Sequence, residues 1–218
     1  MAIRAAVLCL LLAHQASPTL AQDAGPITLV ITQNGQEIGR ENFTLTPGRG
    51  RGAPGTTLSA TAKYPASVPA SRLTALLERT PQSAVSKFQL DVESPAGTTV
   101  ILAAGTGARL VVRTLAKGSE SGRELPGGPD MVLLDDEVHS LFATVADLAT
   151  PAGKRLTAIY PRTGRRAAFT ARRDAGAPDD LRHITLTGDL AGTLVTDAEG
   201  RLHRLELPGQ NKVVTRAE

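Results

Sequence analysis

Polar and apolar side chains alternate with a period of two along most of this 218-residue chain. That spacing puts successive side chains on opposite faces of a sheet, so it commits the polypeptide to half-buried strands. Ile27-Thr28-Leu29-Val30-Ile31-Thr32 runs into Asn34-Gly35, a pair suited to a two-residue hairpin, and Glu37 to Thr46 returns. Phe88, Leu90 and Val92 alternate with Lys87, Gln89, Asp91 and Glu93. Ala167, Phe169 and Ala171 alternate with Arg166, Ala168, Thr170 and Arg172, while Ile184 and Leu186 alternate with His183, Thr185 and Thr187. Further strands are expected near 56–64, 72–80, 98–103, 108–116, 154–160, 190–196, 201–207 and 211–216. Turn residues punctuate them at Pro95-Ala96-Gly97, Gly105-Thr106-Gly107, Pro161 to Gly164, Asp197 to Gly200 and Pro208-Gly209. The expectation is a mainly β fold, an antiparallel sheet curved into a half-barrel, barrel or sandwich.

One segment departs from that rhythm. Val138, Leu141, Phe142, Val145 and Leu148 fall at helical spacing, with Asp135 or Asp136 ahead as N-cap and Pro151 beyond. This predicts one amphipathic helix near 137–148, laying its apolar stripe on the concave side of the sheet.

The start of the chain reads as an export signal. Arg4 precedes the apolar run Ala5 to Leu12, and Thr19-Leu20-Ala21 offers a small-x-small ending before Gln22 and Asp23. Residues 1–21 are therefore expected to be a signal peptide cut after Ala21, leaving 22–218 as a single β domain in the periplasm or outside the cell. His14, Gln15 and Pro18 interrupt the run, which falls short of a span across a bilayer. The chain's one cysteine, Cys9, lies in this leader, so disulfides and thiolate chemistry are not expected beyond it.

Composition narrows the function classes. Lys and Arg total 24 against 21 Asp and Glu, and no nucleic-acid partner follows from so even a balance. Four Phe, two Tyr and no Trp leave little for base-stacking platforms, or for the two aromatic girdles of an outer-membrane barrel. The interior must be built mainly from aliphatic side chains.

No motif names a reaction. Asp135-Asp136-Glu137 could hold a cation or act as catalytic carboxylates, but acids before a helix also favour its start, and that reading is preferred. His139 is expected on the polar side of the helix, His183 on the polar face of its strand, and His203 on the same side as Leu205 and Leu207. None has a partner at metal-ligand spacing. Gly105-Thr106-Gly107 lacks the rest of a dinucleotide fingerprint, and no G-x-S-x-G elbow is present. Arg162, Arg165, Arg166, Arg172 and Arg173 form a basic run that could grip an acidic partner or lipid headgroups, or could simply be the solvated rim of a hairpin.

Three pieces resemble a group of uncharacterised exported bacterial proteins: Gln33 to Gly39, Met131 to Asp136, and Gly188 to Arg216. That resemblance implies a curved antiparallel sheet with a helix at its open side, broadly similar to periplasmic lipoprotein-carrier half-barrels, and it carries no catalytic motif. Three functions are therefore weighed. The first is a non-catalytic exported protein holding an apolar or lipid-like ligand, with Leu141, Phe142 and Val145 lining the cavity. The second is an envelope scaffolding or interaction module with a filled core, meeting an envelope protein through Arg165, Arg166, Arg172 and Arg173. The third is a hydrolase without recognisable motif. No cofactor and no metal are expected, and after cleavage no membrane-spanning segment.

Overall fold

A computed structural model describes residues 25–48, 54–65, 71–176 and 180–218. The expected signal peptide, with its cut after Ala21, lies outside the described residues.

Fifteen strands form one sheet. The first eight are β1 (Ile27–Gln33), β2 (Gln36–Pro47), β3 (Thr56–Lys63), β4 (Arg72–Arg79), β5 (Val85–Ser94), β6 (Gly97–Thr106), β7 (Arg109–Ala116) and β8 (Ser119–Pro126). The others are β9 (Met131–Leu133), β10 (Lys154–Ile159), β11 (Arg166–Arg173), β12 (Leu181–Gly188), β13 (Gly192–Asp197), β14 (Leu202–Leu207) and β15 (Lys212–Arg216). Each meander pairs neighbour to neighbour, and one ladder between β1 and β15, with Leu29 opposite Arg216, joins them. The sheet's two ends are β8 and β9, consecutive in the chain yet not paired with each other, so the curved sheet stays unclosed. Pairing is antiparallel throughout except between β9 and β10, which run parallel.

Nearly all the expected strands are present, because their alternation is real: Leu73, Ala75, Leu77, Phe88 and Leu90 are buried on one face. The other face is wet. All six aromatic residues, Phe43, Phe88, Phe142, Phe169, Tyr64 and Tyr160, are buried, so no ring is left for the outer surface. Among the described residues no helix is long and apolar enough to cross a membrane.

Three expectations need correction. The one helix expected near 137–148 is present but short, a 3-10 turn, His139–Phe142, running into a single α-helical turn, Ala143–Ala146, and its expected amphipathic character does not hold. Every residue from Val138 to Ala146 is buried, His139 included, because the segment is a plug inside the curve rather than a lid upon it. Neither Asp135 nor Asp136 caps it; the Asp135 carboxylate accepts a hydrogen bond from the Glu137 amide instead. His203 points out, because the register slips between Val195 and Thr196 and the alternation of β14 changes phase, burying Leu202 and Leu205 but not what lies between.

Gly39, at the end of the Asn-Gly hairpin, shows how tightly the shell meets its contents. A Cβ there would sit 2.6 Å from two ring carbons of Tyr64 and 2.8 Å from the Lys63 carbonyl oxygen. Gly39→Ala should therefore push the Tyr64 ring aside and cost about 1–3 kcal/mol, as overpacking does. Urea unfolding followed by tyrosine fluorescence measures it; an unchanged midpoint would show that the ring yields freely.

Candidate functional site

The plug is held by charge at both ends. Glu41, on β2, turns inward and is fully buried. Its two carboxylate oxygens accept hydrogen bonds from the amides of His139 (2.7 Å) and Ser140 (3.1 Å), the first free N–H groups of the 3-10 turn. A carboxylate contributed by a distant strand thus does the work expected of Asp135 or Asp136. At the other end the buried Arg79 guanidinium, from β4, lies 3.3 Å from the Asp147 carboxylate. Arg173, from β11, donates to the Ala149 carbonyl at 3.0 Å. Anion before the turn and cations after it match the direction of the backbone dipoles.

Burial sets the electrostatics here. Among the described residues no lysine or arginine pairs with Glu41, and loss of water pushes its carboxyl up to about 7 despite the amide donors. The His139 imidazole, 3.9 Å from Glu41 and 3.4 Å from the Tyr64 hydroxyl, is driven down to about 3 by burial and by the Lys212 charge. It is a neutral ring, and its Nε2 has no hydrogen-bond partner. Tyr64 donates to the Glu137 carbonyl at 2.8 Å, tying the end of β3 to the plug's approach.

The acidic run Asp135-Asp136-Glu137 faces the turn between β10 and β11. Arg162 spans Asp135 (3.0 Å) and Glu137 (2.5 Å). Arg165 reaches Asp136 at 2.6 Å and stacks on the Tyr160 ring at 3.5 Å. Lys212 donates to the Asp136 carbonyl at 3.0 Å. Burial still holds Asp135 up at about 6, against the pull of Arg162. Among the described residues no group of three His, Cys, Asp or Glu could hold a metal ion. The cluster is a clasp between the plug's approach and one hairpin.

Leu141, Phe142 and Val145 are all buried in the middle of the plug. The crevice that Phe142 borders with Asp135, His139 and Tyr160 is too narrow to admit a water-sized guest. The four arginines are not brought together. Arg165 and Arg166 lie at one end of β11 and Arg172 and Arg173 at the other, about 20 Å apart at strand spacing. Arg165 is spent on Asp136 and Tyr160, Arg172 pairs with Asp174 at 3.3 Å, and Arg173 holds the plug. Of the four, only Arg166 has a side chain with neither ion pair nor hydrogen bond among the described residues.

A second place of interest lies at the unclosed seam. A cavity of about 270 Å³ opens where the chain passes from β8 to β9, walled by Pro126, Gly127, Met131, Thr157, Ile159 and Arg166. Arg123, projecting from β8, donates to the Pro161 carbonyl and bridges the seam at one side. Sequence reasoning missed both Glu41 and the seam. Glu41 sits where alternation calls for an inward residue, between Gly39 and Phe43, and that inward acid was the available signal.

No family model and no curated protein sequence matches the chain. One solved structure, described as the crystal structure of a DUF1089 family protein from Pseudomonas aeruginosa, is similar at 14% identity and a TM-score of 0.41, over 94% of this chain and 97% of that one.

Proposed function

We propose that this protein is an exported, non-catalytic binding protein whose curved sheet takes up an apolar or lipid-like ligand in place of its plug. The observation that carries the reading is the form of the interior. A wide, unclosed sheet presents an aliphatic concave face, and a short segment held by a few polar contacts covers it. Curved sheets with apolar linings are common ligand sites. Leu141, Phe142 and Val145 then occupy the ligand's position in the empty protein and line it once displaced. Glu41 and His139 serve to seat the plug rather than to move protons for a substrate, which supports a role without chemistry. Native mass spectrometry of protein purified from its own cell envelope tests this: a bound species of lipid-like mass is expected, and a uniformly ligand-free protein would overturn the reading.

A second reading, an envelope interaction module with a permanently filled core, draws support from the complete burial of Leu141, Phe142 and Val145. Of the arginines offered for its contact surface, Arg166 is the one whose charge is unspent. Reversal of Arg166 would weaken capture of an envelope partner, and equal capture by wild type and Arg166→Glu would remove that surface.

A further inference from the structure

We infer that the seam between β8 and β9 is a binding site for a small monocarboxylate with a short apolar tail. The site is separate from the concave face, so it does not depend on the plug moving.

Three observations converge on it. First, the cavity is a consequence of the topology. The sheet ends at β8 and β9 without closing, and the linker Gly127–Asp130 crosses the gap, opening on two glycines. Gly127 cannot carry a side chain, since a Cβ would lie 2.7 Å from the Arg109 carbonyl. Second, the charges at the mouth are unequal. Asp130 is neutralised by Lys154 at 2.8 Å, whereas Arg166 faces the same cavity without a carboxylate partner among the described residues. The net unspent charge is a planar cation with a fork of donors, the group best shaped to hold a carboxylate by two parallel hydrogen bonds. The exposed Thr157 hydroxyl, opposite Ala168 on the neighbouring strand, supplies a further donor on the same wall.

Third, the remainder of the wall is apolar and of limited size. Pro126, Pro129, Met131 and Ile159 contribute no charge, and Met131 conforms readily to an irregular guest. At about 30 Å³ per water-sized unit, a volume of about 270 Å³ holds roughly nine non-hydrogen atoms. That accommodates an acid of six or seven carbons within the walls, with octanoate, at ten non-hydrogen atoms, at its limit. Small anions without a tail would bind weakly, because the Arg166 guanidinium is exposed and screened.

Octanoate is the probe, titrated into the full chain while amide resonances are followed by NMR. Saturable shifts confined to residues 126–131, 157–159 and 166 are expected, with octan-1-ol and butyrate each binding at least tenfold more weakly. Arg166→Gln should weaken octanoate at least tenfold and Arg166→Lys should restore part of the loss. Thr157→Phe, an exposed strand position that tolerates an aromatic, should abolish binding by filling the space while keeping the charge. Absence of saturation up to about 20 mM octanoate, or binding that Arg166→Gln leaves unchanged, would overturn the assignment. Neither result touches the mass-spectrometric test of the concave face.

Discussion

Glu41→Ala should destabilise the protein by roughly 2–6 kcal/mol, since the buried amides of His139 and Ser140 would each be left without an acceptor. Against a typical total of about 5–15 kcal/mol that is a large fraction, and the variant should melt far below the parent. Glu41→Gln keeps one acceptor and should lose less. The pair of proteins also carries a pH signature. The Glu41 carboxyl titrates near 7 when folded against 4.5 when free, so its protonation contributes stability that is complete below 4.5 and lost as pH rises through 7. Asp135, near 6 against 3.8, acts with the same sign. His139, near 3 against 6.5, acts oppositely: its contribution is present above 6.5 and fades as pH falls toward 3. Tyr64, Asp136, Glu137, Arg162 and Lys212 also face this cluster. Comparing parent with Glu41→Gln cancels every group but one. From pH 8 to pH 5 the parent should gain up to about 3 kcal/mol on the variant by urea unfolding. Parallel profiles would show that Glu41 is an ordinary carboxylate in the fold.

Leu141→Ala should cost about 2–5 kcal/mol in the ligand-free protein, because the side chain is wholly buried and the rigid sheet around it cannot close on the gap. Chemical denaturation gives the number. The more telling measurement repeats it in the presence of a saturating lipid-like guest such as laurate. A guest that takes the plug's place removes Leu141 from the core of the bound state, so the penalty should shrink. An undiminished penalty would mean that the plug stays where it is, favouring the filled-core reading.

The strands were legible in the chain because each has one wet and one dry face; two escaped. β8 carries Leu125 as its single large apolar residue, and as an edge it is exposed on both faces over most of its length, so no alternation develops. β9 is three residues buried on all sides, too short for any period to show. The plug was found but misjudged. Its apolar residues fall at helical spacing, yet the polar ones between them, His139, Ser140 and Thr144, are buried as well. Their partners come from the backbone and from strands far away in sequence, which no local pattern reveals. The separation of Arg165 and Arg166 from Arg172 and Arg173 follows from the length of β11 and could have been read from it.

The β1–β15 ladder places the first and last strands side by side in the middle of the order, with about 185 residues of chain between paired positions. Each run of strands pairs locally, whereas the ladder that makes them one sheet waits on the five residues of β15. β15 is thus a keystone: a chain cut before Lys212 loses the ladder that joins the two runs of strands, not merely a frayed edge.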